Sequence, residues 1–312
     1  MTERNKKLIS LFLRLAFSLG LVLWLLTRIE LKGIVSALKH LDLRVWLLAF
    51  VLYILAQIIS SVRWWMLARS LNFPGKLVTY IGYYFVGMFF NLFLPTSVGG
   101  DVLKVFFLSK DVRRRLAATY SVIADRLFGL FALLVIGFLA VIIHPNMLPK
   151  FLVNILLFGG ILSISVLLFA PVFTKLIIKC FPRFTDKLSM LVIYWKNWKN
   201  LFLIVLLSVL LQLLGMIAVI LLSRSIGIDI NWYYYLAIMP LIVILTLLPI
   251  SFNGIGIREG GFIYFLGLKH IPSDMAFTLS LLFFSVQIVA SLIGGIAYAY
   301  GFHKVSILDY NR

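Results

Sequence analysis

The sequence has 312 residues, of which 62% are hydrophobic and only 13% charged, and its mean hydropathy is +1.07. That composition excludes a soluble enzyme and a disordered chain, and it supplies apolar residues for about eight membrane-crossing segments of ~20 residues each. The net charge is +18, from 29 Lys+Arg against 11 Asp+Glu; the basic residues gather between apolar runs and no nucleic-acid motif accompanies them, so they read as cytoplasmic loops, not as a nucleic-acid surface.

Runs free of charge define the expected spans in chain order. Leu8–Thr27 is the first, broken only by Arg14, and no small-residue cleavage site follows it, so it reads as an uncleaved span. Residues 29–42 follow with Leu31, Ile34, Val35 and Leu38 at helical spacing, an expected interfacial helix. Val45–Val62 is the second span. Leu77–Gly100 is the third and ends at Pro95 and Gly99-Gly100. Leu116–Ile143 carries Asp125 and Arg126 inside it. Phe151–Ala170 is clean. Residues 183–199 place Phe184, Leu188, Leu191, Trp195 and Trp198 on one face and read as a second interfacial helix. Leu201–Ser223 is clean, Trp232–Ile250 again ends in a proline and glycines, and Met275–Gly301 is the last. The single cysteine, Cys180, excludes an intramolecular disulfide framework.

The two breaks resemble each other. Pro95-Thr96-Ser97-Val98-Gly99-Gly100-Asp101 is followed by Lys104, and Pro249-Ile250-Ser251-Phe252-Asn253-Gly254-Ile255-Gly256 is followed by Arg258-Glu259-Gly260-Gly261. Irregular backbone of this kind exists at membrane depth only inside protein or along a cavity. Its recurrence in two halves points to an inverted repeat with a transport site between them. The expected architecture is therefore an all-α polytopic membrane bundle in one domain, 1–312. Repeat 1 spans about 45–143 and repeat 2 about 201–301, with six full spans and two re-entrant segments; eight full spans is the alternative. With both termini cytoplasmic, this topology puts most of the 29 basic residues inside, Arg63 and Arg69 counted as loop residues among them.

Ionisable residues within spans cost about 2.5–3.5 kcal/mol each on insertion scales. Asp101, Asp125, Arg126, Arg258 and Glu259 must therefore face one another or a watery cavity. Glycines admit close backbone approach, and helices restarting after the breaks aim N–H groups into that cavity. Arg126 and Arg258 offer forked donors suited to phosphate, and Lys104 a point charge. The three acids balance those cations, meet a cationic headgroup or carry a proton. Ser121, Asp125 and Gly129 share one helical face. Gln212 and Gln287 occupy matching mid-span positions in the two halves, as interhelical links or as lining of the site. The four histidines, His40, His144, His270 and His303, fall near span ends without a paired acid, and no metal-ligand spacing occurs. No catalytic residue, metal or cofactor is expected. A lipid transferase and a small-solute or ion transporter are the other function classes weighed against a lipid translocase.

The ordered set Asn91-x-x-x-Pro95-x-Ser97-x-Gly99-Gly100-Asp101, Lys104, Ala117–Ser121, Asp125-Arg126-x-x-Gly129-Leu130 and Asn253-Gly254-x-Gly256-x-Arg258-Glu259-Gly260 resembles the lysylphosphatidylglycerol synthase transmembrane-region family, a flippase-like domain. The likeness runs over about residues 8–302, with no synthase portion in this sequence, as in a stand-alone member. The resemblance implies translocation of a phosphate-containing lipid of aminoacyl-phospholipid or polyprenyl-phosphate type across the cytoplasmic membrane. It also implies membrane lipids and a separately encoded synthase or glycosyltransferase as partners. By position it implies a site of Asp101, Lys104, Asp125, Arg126, Arg258 and Glu259, with Ser97 and Asn253 beside them and backbone breaks at Pro95, Gly99, Gly100, Pro249, Gly254 and Gly256.

Overall fold

The computed structural model describes residues 41–93, 99–109, 111–180, 192–248 and 251–301, with isolated positions between 16 and 39 and Met190. Pro95, Ser97 and Pro249 lie outside the described residues, as do most of the expected first span and of the expected 29–42 helix, and residues 183–189 and 191 of the second interfacial helix. The described chain is all helical: α1 (Leu43–Ser70), α2 (Leu77–Phe93), α3 (Gly99–Leu108), α4 (Val112–Ile143), α5 (Lys150–Cys180), α6 (Trp198–Ser225), α7 (Trp232–Leu247), α8 (Ile257–Gly267) and α9 (Ser273–Ala299). Five of these, α1, α4, α5, α6 and α9, are long and apolar enough to cross a membrane; α2 and α7 are shorter apolar helices. This is a polytopic helical membrane protein.

Several helices outrun their hydropathy. α1 continues to Ser70 and α5 to Cys180, because a 28-residue helix reaches ~42 Å while the hydrocarbon layer is only ~30 Å thick. Leu77–Gly100 divides, as the proline and glycines require, into α2 and a new helix α3. The expected helix over 183–199 is corrected where it can be seen. Residues Ile193–Lys196 form a single 3-10 turn, Asn197 caps α6, and Trp198 belongs to α6. Trp195 turns inward and donates its indole N–H to the carbonyl of Leu167 at 2.7 Å, while Trp198 stays exposed. The two tryptophans therefore do not share one face.

Two four-helix units repeat the same design. α1 and α6 are both 28 residues long, and both end Arg-Ser-aliphatic: Arg69-Ser70-Leu71-Asn72-Phe73 and Arg224-Ser225-Ile226-Gly227-Ile228. Asn72 and Gly227 both take positive φ, at 59° and 85°. The next amide in each donates back into the last turn, Phe73 to Ala68 and Ile228 to Ser223. These are matching left-handed helix stops. Arg63 near the end of α1 bonds to Ser208 in the first half of α6, where Leu67, Ala68, Leu201 and Ile204 belong to one apolar cluster, and Ala49 at the start of α1 belongs to the other cluster with Val219 and Leu222 of late α6. The two units therefore run antiparallel.

Each unit holds a helical hairpin that leaves and returns at one end. Arg114 at the start of α4 donates to the carbonyl of Asn72 at 2.7 Å and lies over the Phe73 ring, so the hairpin α2–α3 opens at the end where α1 stops. Tyr234 on α7 donates to the carbonyl of Phe265 on α8 at 2.6 Å, and Lys269 lies over its ring, so α7–α8 opens at the opposite end. The units interlock by exchange: α2 packs on α9, and α7 packs on α4. Glycine makes both crossings close. A Cβ on Gly294 would run into the carbonyl of Phe85, and one on Gly137 into the Pro240 ring. Alignment of α2 with α7 from their first residues pairs Phe85 with Pro240.

The α2–α9 crossing yields a prediction. Gly294→Leu forces two backbones apart and lowers stability in detergent by about 2 kcal/mol or more, read as a fall in the thermal unfolding midpoint. Gly267→Ala, at a position with nothing within 4 Å, leaves that midpoint essentially unchanged.

Candidate functional site

The antiparallel units enclose a cavity of about 440 Å³, lined from α1, α2, α3, α4, α6, α7 and α9. Its polar wall begins with Arg63 on α1. Arg63 is buried (3% exposed) and donates through Nε to Asp125 Oδ1 at 2.8 Å and through Nη1 to Ser208 on α6 at 2.9 Å. Gly129 on α4 lies against this guanidinium: a Cβ there would stand 3.4 Å from Arg63 Nη1, in ordinary contact. Gln212 closes the same corner by donating to the Gly129 carbonyl at 2.9 Å.

A second set of charges adjoins the first. Asp101, at the start of α3, receives Arg126 Nε at 2.7 Å and Lys104 Nζ at 3.3 Å. Lys104 rests 3.6 Å from the centroid of the Tyr84 ring and 5.6 Å from Trp64, an aromatic seat for a buried ammonium. The Tyr84 hydroxyl pairs with Ser60 at 2.7 Å. Ser60 lies 3.5 Å from Arg63 Nη2, so the two sets join. Ser121 accepts the Trp64 indole N–H at 3.2 Å and donates to Ala118. Lys104 and Asp101 are nearly sealed, but the Arg126 side chain is 41% exposed, the most open charge in the group.

The third cluster sits behind the second break. Glu259 accepts the Gly256 amide at 2.6 Å, Arg258 at 2.6 and 3.0 Å, and the Ser280 hydroxyl at 3.3 Å. The carboxylate thus caps the first turn of α8 while it neutralises its neighbour. Gly256 and Gly254 take φ of 86° and 77°, and Asn253 takes 50°, so the glycines supply the left-handed turns that let the chain reverse here. Arg258 reaches Gln287 on the cavity wall at 3.5 Å and stacks 4.0 Å from the Phe284 ring. At the first break Gly100 and Gly87 meet backbone to backbone, and Asn91 accepts the Gly100 amide at 2.7 Å. Each restarted helix thus has one terminal amide occupied by a side chain of its own hairpin.

The structure therefore brings Lys104, Asp125 and Arg126 to one cavity, holds Asp101 behind its wall through Lys104 and Arg126, and connects Arg258 and Glu259 to it through Gln287. The sequence reading missed Arg63, which it had placed in a cytoplasmic loop; the residue is instead the buried partner of Asp125. The apolar run stops at Val62, but α1 does not. The Arg-Ser-aliphatic stop shared by 69–71 and 224–226 was the available signal, since it puts the helix end beyond Arg63. Tyr84 and Ser60 were also missed. Gln287 is not the counterpart of Gln212: helix alignment pairs Gln212 with Gln57, and all three line the cavity.

The same alignment exposes a chemical imbalance. Ser60, Arg63 and Tyr84 of the first unit match Gly215, Ala218 and Met239 of the second. Registering Gly137 on Gly294 matches Asp125 and Arg126 with Leu282 and Phe283. One wall of the cavity carries the charges; the facing wall carries none and is apolar apart from Gln212 and Gln287. Among the described residues no group of His, Cys, Asp and Glu is placed to hold a metal ion.

A helical bundle that crosses the membrane repeatedly and buries ion pairs around an internal cavity is the class these observations define. The chain belongs to the lysylphosphatidylglycerol synthase TM region family, whose model matches residues 11–295. It is similar to a UPF0104 membrane protein of Pyrococcus horikoshii, 28% identical over 169 residues, covering 52% of this chain and 50% of that one. It is also similar to a UPF0104 membrane protein of Methanocaldococcus jannaschii, 28% identical over 135 residues, covering 41% of this chain and 40% of that one. The matches span half or less of the length of these relatives.

The Arg63–Asp125 pair is open to test by a double-mutant cycle. Arg63→Met and Asp125→Leu each strand a buried charge and cost about 3–5 kcal/mol, whereas the double variant recovers most of that loss. Chemical unfolding in micelles reads the three values.

Proposed function

We propose that this protein is a membrane lipid translocase that moves a lipid with a phosphate-containing headgroup across the cytoplasmic membrane. The observation that carries this reading is Arg126. In and behind the cavity wall four cations (Arg63, Lys104, Arg126, Arg258) are set with three carboxylates (Asp101, Asp125, Glu259), a local excess of basic groups. Arg126 lines the cavity and has the most exposed side chain of the set. A planar guanidinium in a low-dielectric recess favours a phosphate oxyanion. The apolar wall opposite it suits the non-polar part of the same molecule. Family membership supports a role connected with lipids.

In this reading the end of the bundle carrying Arg69, Lys76, Arg114, Arg115, Lys175 and Lys199 is cytoplasmic, as the excess of Lys and Arg in cytoplasmic loops requires. Both termini lie on that side. The hairpin α2–α3 then enters the bilayer from the inside and α7–α8 from the outside, and neither crosses. The residues bind and guide; none is assigned a bond-making step. A separate lipid-modifying synthase or glycosyltransferase supplies the substrate.

Reconstitution in vesicles with fluorescent lipids tests this reading. Wild-type protein moves a labelled phospholipid between leaflets faster than a labelled glycolipid lacking phosphate. Arg126→Ala slows the phospholipid on the order of tenfold, the worth of one charge-assisted contact, and Arg126→Lys falls between. Equal rates for wild type and Arg126→Ala would overturn the role of Arg126, and no transfer by wild type would overturn the reading itself.

A further inference from the structure

A second recess adjoins the cavity. It is a groove of about 190 Å³ between α4, α5 and the 192–195 segment, lined by Ala124, Leu127, Phe128, Phe131 and Val166, with Trp195 closing one side. Nearly every lining atom is apolar: the one threonine, Thr174, spends its hydroxyl on the carbonyl of Ala170 at 2.8 Å. Leu127 lines both the groove and the cavity. It follows Arg126 directly, and consecutive helical residues project ~100° apart. α4 therefore presents a cation to the cavity and an aliphatic wall to the groove within one peptide unit. The strip of α4 around these residues is open: Ile123 and Arg126, three residues apart and so on one helical face, are both exposed, and cavity and groove meet at Leu127.

We propose that this groove seats one hydrocarbon chain of the lipid whose phosphate meets Arg126. The inference rests on the translocase reading for the headgroup, and it adds where the tail goes. A lipid held at its phosphate must lay its chains along adjoining apolar surface, and the groove begins one residue away. Tyr194 lines the groove as well, its hydroxyl sealed in the wall without a hydrogen-bond partner among the described residues. The consequence is selection by chain as well as by headgroup, with a bulky or branched chain discriminated at Leu127.

Trp195 is a built-in reporter. Purified protein in detergent is titrated with phosphatidylglycerol brominated at mid-chain and, in parallel, with an equally brominated glycolipid lacking phosphate, and tryptophan fluorescence is followed. Bromine quenches indole at contact, so a chain in the groove darkens Trp195. The expected result is that the phospholipid quenches at concentrations on the order of tenfold lower than the glycolipid. That excess is lost in Trp195→Phe, which removes the reporter, and in Ala170→Phe, which fills the groove. Arg126→Ala brings the two lipids level. Unfolding midpoints identify variants that remain folded, and the two groove variants act by different means, so misfolding of one leaves the other decisive. Equal quenching by both lipids in wild type would show ordinary surrounding lipid and overturn the proposal. So would an excess that survives Trp195→Phe or Ala170→Phe. A wild-type excess that behaves as expected while vesicles show no translocation would leave the groove standing and remove the translocase reading.

Discussion

A guanidinium cannot sit bare in a hydrocarbon layer, and much of this structure answers that constraint. Arg63 is held by Asp125 from α4 and Ser208 from α6, so one charge ties together three of the five long helices. Gly129 lies beside it, where a Cβ would already touch the fork at ordinary contact distance and a longer side chain would compete for its space. Once Asp125 is committed to Arg63, Arg126 must find another acid, and it finds Asp101 on α3. That bond anchors a ten-residue helix that would otherwise be too short to hold itself in place. The polar network therefore builds the cavity wall and secures the first hairpin at the same time.

Shape complementarity does the rest without charge. Each unit lends its hairpin helix to the other: α2 is pressed on α9 at Gly294 and α7 on α4 at Gly137. In a membrane, helices gain little from hydrophobic transfer, so close approach at small residues supplies the contact energy. The exchange leaves neither unit a complete bundle without its partner.

Much of this was written in local chemistry. Both breaks were legible because proline and glycine act on their own backbone, wherever the rest of the chain goes. Asp101, Lys104, Asp125 and Arg126 were legible because a charge in an apolar run demands a reason. Arg63 was not, since it stands just past an apolar run, where basic residues commonly mark the membrane surface. Only the tertiary contact of α1 with α4 and α6 turns it into an interior residue. The partners of each acid were illegible for a related reason. Asp125 and Arg126 are neighbours in sequence yet diverge in direction, so the pairs that form span 62 and 25 positions of chain. Tyr84 and Ser60 lay hidden among the many aromatic and hydroxyl residues of a membrane chain.

The imbalance between the two cavity walls carries a consequence for energy. If the units were identical in sequence, trading their conformations would return the same free energy, and the bundle would rest equally on either side of its symmetry axis. Here the first hairpin is bonded across to α4 through Asp101 and Arg126. The equivalent anchor of the second is made largely within α8, between Arg258 and Glu259, with Ser280 and Gln287 from α9. Under the translocase reading, two exchanged states of the bundle would therefore differ in energy even with nothing bound, and the placement of the few acids would set which one the empty molecule prefers.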